Sequence, residues 1–184
     1  MAEQITIYCK NTGKYYDVPV GSSLLEIYQI VGEPLTYRPL NAQVNNRTQD
    51  LTYTCWQPKD IEFVDYTHPS GMRTYVRTLC YVLSKAVHDV FPEATLNIEH
   101  SISKGYFCTI HNGKPADIDM LAQIRQRMKE IVDADIPLKL HTVQSEKAIQ
   151  LFREVGMEDK ANLIESSGMM YASYYELEGY VNYF

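Results

Sequence analysis

The sequence lacks the features that mark many metal-binding, secreted and membrane-spanning proteins. Its four cysteines, Cys9, Cys55, Cys80 and Cys108, form no C-x-x-C pair, which excludes a zinc ribbon or redox motif of that type. No hydrophobic run approaches the roughly 18 residues of a membrane span, and no signal peptide is predicted at the start. Scattered cysteines with apolar neighbours are typical of reduced core residues, so we expect a cytoplasmic protein without a membrane partner.

Motifs of the common enzyme classes are also missing. There is no G-x-S-x-G nucleophile elbow and no G-x-x-x-x-G-K-[ST] loop, because the two Gly-Lys pairs precede Tyr and Pro. Cys108 and His111 lie three residues apart on a predicted strand, so their side chains point to opposite faces. The other histidines lie on four different predicted elements: His68, His88, His100 and His141. We predict no catalytic residue and no metal site.

Length and composition favour a globular chain with an acidic balance. The chain has 184 residues, 45% of them hydrophobic, which is enough for one large or two small domains with their own cores. A formal net charge of -6 argues against a stand-alone nucleic-acid binder, which is more often basic. Local charge can differ from the net charge, so the distribution of cations decides whether the chain can bind a nucleic acid.

The first third of the chain predicts a small domain with the order β-β-α-β-β. Alternating hydrophobicity predicts four strands, at Ile5–Tyr8, Tyr15–Val20, Ala42–Val44 and Ile61–Val64. Ser23 and Glu26 have the spacing of a capping box, which predicts a helix that runs to about Val31 and ends at Gly32.

These residues resemble a TGS domain, the ubiquitin-like β-grasp module of threonyl-tRNA synthetases and of certain regulatory GTPases and nucleotide synthetases. The matching segments are Val18-Pro19-Val20-Gly21-Ser22-Ser23, Val44-Asn45-Asn46, Asp50-Leu51 and Lys59-Asp60-Ile61-Glu62-Phe63. The resemblance implies a TGS domain over residues 1–66, followed by a linker at residues 67–74.

Residues 75–184 predict a second α+β domain, which we expect to be truncated because the chain stops on an aromatic strand. The first predicted helix, Tyr75–His88, has an apolar stripe of Val76, Leu79, Cys80, Leu83, Val87 and Val90. Asp117 is predicted to cap a helix that buries Leu121, Ile124, Met128 and Ile131. Ser145 is predicted to cap a later helix. Further strands are predicted at 95–98, 105–110, 136–140, 170–175 and 180–184, and a further helix is predicted at 157–164.

This second segment resembles the editing domain of threonyl- and alanyl-tRNA synthetases. The match includes the first helix, the strand Lys104-Gly105-Tyr106-Phe107, and the helical pair Ser145–Phe152 and Lys160–Ile164. In that family two histidines of the first helix, with a later cysteine and histidine, hold a zinc ion that activates water. The matching positions here are Arg77, Tyr81 and Phe184, and the fourth would lie beyond this chain. The resemblance therefore implies an editing-type fold without its zinc.

A cationic stripe on the first helix is the candidate binding site. No acidic residue lies between Asp65 and Asp89, a stretch in which Arg73, Arg77, Tyr81 and Lys85 follow one another at four-residue steps. Such a stripe can hold a phosphate, a nucleotide or an RNA backbone, but it is also typical of a solvated helix face or of Arg77 filling the space of a lost metal. The candidate residues are Arg73, Arg77, Tyr81, Lys85 and, in a loop bordering the former pocket, His100.

Two kinds of protein combine these domains. One is threonyl-tRNA synthetase, and the other is a bacterial nucleoside kinase of the uridine kinase type, whose first helix lacks the zinc histidines. The substitutions at Arg77, Tyr81 and Phe184 favour the second. They predict a non-catalytic accessory or regulatory region, without a cofactor of its own, ahead of a C-terminal P-loop kinase domain. The whole protein would use ATP and Mg²⁺ to phosphorylate a nucleoside. The alternatives are an editing hydrolase, a tRNA- or nucleotide-binding module, and a region for oligomer assembly.

Overall fold

The computed structural model describes residues 3–103, 105–113 and 116–183. It divides into two compact units, Met1–Thr78 (unit 1) and Leu79–Phe184 (unit 2). Both combine helices with β-strands, so the predicted α+β class is confirmed. Across the described ranges, no helix has the length and apolar character needed to span a membrane.

Unit 1 has the β-grasp arrangement predicted from the sequence. Its main sheet has the order β2-β1-β7-β4-β5, and β1 pairs in parallel with β7. Helix α1 (Leu24–Ile30) contributes Leu24, Ile27 and Tyr28 to the core. The strands are β1 (Gln4–Cys9), β2 (Lys14–Pro19), β3 (Ser22–Ser23), β4 (Asn41–Val44), β5 (Arg47–Gln49), β6 (Thr54–Cys55) and β7 (Asp60–Val64).

Helix α1 begins with the predicted capping box. The Ser23 hydroxyl accepts a hydrogen bond from the Glu26 backbone amide at 3.3 Å, and the Ser23 amide donates to the Glu26 carboxylate at 2.7 Å. The Ser23 hydroxyl also donates to the Glu26 carboxylate at 2.9 Å, and together with the bond from the Ser23 amide this holds the pKa of Glu26 below its ordinary value. The box satisfies amides that the first helical turn leaves without partners, which explains why the chain turns into a helix here.

The chain's one tryptophan lies beside this helix start, at the end of β6. Trp56 is 66% exposed, and its indole N–H donates to the Thr54 hydroxyl at 3.0 Å. A Cβ atom on Gly21 would lie 3.2 Å from the indole ring, and Gly21 has a φ of +82°. A residue without a side chain therefore lets the ring pack against the backbone at this turn.

Helix α2 (Pro69–Val90) begins within the segment that the sequence predicts as a linker. Asp65 accepts hydrogen bonds from the Thr67 amide and hydroxyl, and these bonds lower its pKa. The first turn then approaches the end of β7 so closely that a Cβ on Gly71 would lie 1.8 Å from the Asp65 carbonyl oxygen. The absence of a side chain at Gly71 permits this approach, which explains why the helix starts early.

Unit 2 contains the rest of α2, three further helices and five strands. Strands β10, β11 and β12 form an antiparallel sheet, and β8 pairs with β9 in a separate antiparallel ribbon. The strands are β8 (Thr95–Ile102), β9 (Gly105–His111), β10 (Lys139–Gln144), β11 (Tyr171–Leu177) and β12 (Tyr180–Asn182). The helices are α3 (Ile118–Asp133), α4 (Ser145–Glu154) and α5 (Glu158–Ser167).

Three local predictions for the helices of unit 2 are wrong. On α2, Leu79 is 45% exposed, whereas Tyr81 is buried because its hydroxyl finds backbone acceptors. On α3, Leu121 is 54% exposed, and Met120 takes its place in the core. The predicted cap of α3 is confirmed, because Asp117 accepts a hydrogen bond from the Met120 amide at 2.7 Å. Ser145 does not cap α4, because its hydroxyl donates to the Met169 carbonyl instead.

Candidate functional site

The candidate residues on α2 differ sharply in exposure. Arg73 and Arg77, in unit 1, are exposed, whereas Tyr81 and Lys85, in unit 2, are only 2% and 3% exposed. Arg73 and Arg77 form no ion pair or side-chain hydrogen bond with the residues that the structure describes. Since residues four apart on a helix are neighbours, two unpaired cations lie side by side. Of the predicted stripe, this pair alone presents charge to solvent.

Tyr81 belongs to the core of unit 2. Its hydroxyl oxygen lies 2.7 Å from the Tyr180 carbonyl oxygen and 2.9 Å from that of Tyr175, and it donates its proton to these acceptors. Its ring packs edge-on against the rings of Tyr180 and Tyr175. Burial raises the pKa of Tyr81, with a smaller contribution from Tyr180. The phenol is therefore neutral and is committed to the β11–β12 strands as a hydrogen-bond donor.

Lys85 lies in a network of charges that includes Asp89, Glu178 and Arg127. Its ammonium group donates to both carboxylate oxygens of Asp89 at 3.1 Å and lies 3.4 Å from the Glu178 carboxylate. Arg127 on α3 also donates to Asp89, at 2.8 Å, and to Glu178, at 3.2 Å. Burial acts to raise the pKa of Asp89, but the hydrogen bonds from Arg127 and Lys85 outweigh it and leave the pKa lowered. Lys85 is thus paired with carboxylates of unit 2 and has little exposure to solvent.

The other two predicted positions lie elsewhere. The prediction of a loop at His100 is wrong, because His100 pairs with Phe107 inside strand β8, next to a bulge. His100 is exposed, and its ring lies 5.5 Å from the ring of Phe107 on β9. The ring pair forms an exposed aromatic surface on the ribbon. Phe184 lies outside the described residues, so its predicted role as a former zinc position stays a prediction.

The residues on α2 do not fit the zinc ion that the editing domains of the resembling family hold. Tyr81 holds its proton and donates it to carbonyl groups, and Arg77 cannot act as an electron-pair donor at neutral pH. Among the described residues, no group of three or more His, Cys, Asp or Glu side chains is placed to hold a metal. Burial also raises the pKa of both Cys80 and Cys108, which keeps these thiols protonated.

The charge network is the part of this region that sequence reasoning missed. Lys85 and Asp89 are four residues apart on one helix, a spacing that typically pairs opposite charges, so half of the network was visible in the sequence. Arg127 and Glu178 are distant in sequence, and only the fold brings them to Asp89 and Lys85.

Comparisons with known proteins match this chain to threonine–tRNA ligases. No family model matches the chain. Threonine–tRNA ligase from Phenylobacterium zucineum is 29% identical over 154 residues, which cover 84% of this chain and 23% of that protein. The enzymes from Desulforamulus reducens and a Geobacter species are 28% and 24% identical, over 83% and 92% of this chain. This chain spans about a quarter of the length of these curated relatives.

These matches agree with the threonyl-tRNA synthetase side of the resemblance and give no support to the nucleoside kinase. A solved structure of ATBAG1 in complex with HSP70 aligns over 91% of this chain, with a TM-score of 0.33 and 12% identity, a similarity too low to bear on the fold. By sequence, the chain is similar to the TGS and editing-like region of threonine–tRNA ligases.

Proposed function

We propose that this chain is a tRNA-binding module of the threonyl-tRNA synthetase type, whose editing-like domain does not use zinc hydrolysis. The similarity to threonine–tRNA ligases supports the class of ligand. The observation that supports the loss of zinc hydrolysis concerns the Tyr81 phenol. It lies at a zinc-ligand position of the resembling family and donates a hydrogen bond to backbone carbonyls. A side chain used in this way supplies no metal ligand and activates no water.

Arg73 and Arg77 are the residues we propose to contact the RNA backbone. They are exposed, lie one helical turn apart and have no carboxylate partner among the described residues. Adjacent like charges are unfavourable on a free helix, and a phosphate placed between them relieves that repulsion. Lys85 is left out of this group because Asp89 and Glu178 already neutralise it.

Binding of unmodified tRNA to the whole chain tests the proposal. We expect saturable binding that weakens with salt, because phosphate contacts release counterions. The double substitution Arg73→Ala/Arg77→Ala should weaken affinity about ten-fold and make the slope of log affinity against log salt shallower by about 2. A matched control is Lys139→Ala/Lys147→Ala, which removes two exposed cations of unit 2. Equal losses in the two variants would contradict the assignment to α2.

Hydrolysis of mischarged tRNA tests the other half of the proposal. With added zinc, we expect deacylation no faster than in the absence of protein, because neither Arg77 nor Tyr81 can ligate the ion. Zinc-dependent deacylation that a chelator abolishes would show an active editing site and would contradict the proposal.

A second candidate is the accessory region of a uridine kinase-like protein. It is favoured by the same substitutions at Arg77 and Tyr81, and it implies an ATP- and Mg²⁺-dependent P-loop kinase domain in the same chain. The similarity to threonine–tRNA ligases does not extend to this candidate. The native reading frame after Phe184 distinguishes the two, since a G-x-x-x-x-G-K-[ST] loop indicates the kinase and a synthetase core indicates the ligase.

A further inference from the structure

The outer face of α3 carries a straight stripe of apolar and cationic side chains. Its inner face packs in the core of unit 2 through Met120, Ile124 and Ile131. On the outer face, Ile118 is 84% exposed, Leu121 54% and Val132 62%. A groove of about 390 Å³ runs along this face and is lined by Ile118, Leu121, Ala122, Arg125, Gln126 and Lys129.

The spacing of these residues makes the stripe narrow and long. From Ile118 to Val132 they recur at three- or four-residue steps, so they lie along one side of the helix over roughly 21 Å. Apolar residues occupy both ends, and the two cations Arg125 and Lys129 lie one turn apart between them. Neither cation forms an ion pair with the described residues.

The charges beside the stripe limit what can cover it. Asp119, Glu130 and Asp133 are exposed on one flank of the helix, at about 60–120° from the centre of the stripe. A flat anionic membrane or a nucleic-acid duplex would meet these carboxylates together with the cations, and the chain's net charge of -6 adds to that repulsion. A partner as narrow as an α-helix can meet the cations and avoid the flank.

We propose that the outer face of α3 is a docking surface for an acidic amphipathic helix of a partner protein. The complementary helix has apolar residues at both ends of one face and two carboxylates one turn apart between them. Apolar side chains then fill the groove beside Leu121 and Ala122, and the carboxylates pair with Arg125 and Lys129. This surface is separate from Arg73 and Arg77 in sequence and chemistry, so the inference does not depend on RNA binding.

A labelled synthetic helix of about 16 residues, the length of α3, tests the proposal by fluorescence anisotropy on the whole chain. Its binding face carries Leu near both ends and two Glu residues one turn apart in the middle, on an Ala- and Gln-rich background. A scrambled peptide of the same composition and a charge-reversed peptide with Lys in place of both Glu are the controls. We expect the patterned acidic peptide to bind at least about ten-fold more tightly than either control.

Substitutions in the protein then locate the binding surface. Arg125→Glu/Lys129→Glu should weaken the acidic peptide about ten-fold or more and gain affinity for the charge-reversed peptide. Leu121→Ser should weaken both pairings. The matched control Lys139→Glu/Lys147→Glu makes the same change of charge at exposed positions of unit 2 and should leave affinity within about two-fold. All of these positions are exposed, and circular dichroism checks that each variant folds.

Several outcomes would overturn the proposal. The scrambled peptide could bind as tightly as the patterned acidic peptide, or the control variant could lose as much affinity as Arg125→Glu/Lys129→Glu. The third such outcome is that Arg125→Glu/Lys129→Glu does not bind the charge-reversed peptide more tightly than the wild-type protein does. The remaining measurement is binding of the chain to vesicles of phosphatidylserine and phosphatidylcholine. Binding to these vesicles that Arg125→Glu/Lys129→Glu abolishes would assign the surface to an anionic membrane and not to a protein helix. The tRNA affinity of the same variant should be unchanged, so this test fails separately from that of the proposed function.

Discussion

The two ends of α2 are held by different chemistry. Its first turns, in unit 1, are held by neutral groups: the Asn41 amide donates to the Thr74 hydroxyl at 2.7 Å and to the Ser70 carbonyl at 3.3 Å. Its last turns, in unit 2, are held by the charges around Lys85 and Asp89. Neutral hydrogen bonds depend on direction and little on solvent ions, whereas charge pairs respond to salt and pH. The same helix should therefore lose its two anchors under different conditions.

The largest effect is expected from removing the central charge of unit 2. Among the described residues, Lys85→Ala leaves Arg127 as the remaining Lys or Arg partner of Asp89 and Glu178, and we expect unit 2 to lose about 3 kcal/mol of stability. Native-state hydrogen exchange of amides in each unit measures this loss, which should be confined to unit 2. Lys85→Met keeps the packing of the alkyl chain and removes the charge, so it separates these two contributions to stability. A similar loss for the exposed Lys139→Ala would contradict the interpretation.

A smaller effect is expected from the neutral anchor. Asn41 is 2% exposed, and Asn41→Ala removes the amide that donates to Thr74 and Ser70. We expect unit 1 to lose about 2 kcal/mol, because buried partners are left with fewer hydrogen bonds. The loss should be nearly the same at low and high salt, unlike that of Lys85→Ala. A loss that depends strongly on salt would break the distinction between the two anchors.

Tyr81→Phe tests the position that the zinc ligand occupies in the resembling family. The substitution keeps the ring in the core of unit 2 and removes only the hydroxyl that the carbonyls of Tyr175 and Tyr180 accept. We expect a loss of about 1 kcal/mol, measured by urea unfolding, since a neutral hydrogen bond contributes about that much. Tyr75→Phe, at a ring that is 51% exposed, is the control and should change stability by less than about 0.5 kcal/mol.

The smallest effect distinguishes two carboxylates with lowered pKa values. Asp65 owes its lowered pKa mainly to hydrogen bonds from Thr67, and Asp89 owes its own to Arg127 and Lys85, against the opposing effect of burial. A lowered folded pKa contributes stability above the unfolded value of about 3.9, and this stability is lost as the pH falls through the folded pKa. Salt should raise the pKa of Asp89 and leave that of Asp65 nearly constant. Carboxyl NMR titrations at two salt concentrations measure both, and equal responses would contradict the comparison.

The sequence predicted what depends on neighbours along the chain. The capping box of Ser23 and Glu26 and the cap at Asp117 were predicted correctly, because each needs only a fixed spacing in sequence. The α+β class was also predicted, as were the strands β1, β2, β4 and β7 of unit 1. Strands β3, β5 and β6 were missed, because two or three residues are too few to show an alternating pattern. The buried face of a helix was harder to predict, since the choice between Leu121 and Met120 depends on the surface that packs against α3.

The chemistry of the candidate site was predicted only in part. The exposure of Arg73 and Arg77 agrees with a stripe of cations, but no pattern in the sequence predicts the burial of Lys85. Its burial depends on Arg127 and Glu178, which lie 42 and 93 residues further along the chain. Tyr81 likewise reaches carbonyls that are 94 and 99 residues away. Pairings over such separations depend on the completed fold.

The packing of Trp56 against Gly21 has a spectroscopic consequence. Because the chain has one tryptophan and it lies in unit 1, emission excited at the red edge, where tyrosine does not absorb, arises from that unit alone. Circular dichroism reports on the helices of both units. Heating the protein while recording both signals therefore shows whether the two halves melt together, because coincident curves indicate one cooperative transition and separated curves indicate two.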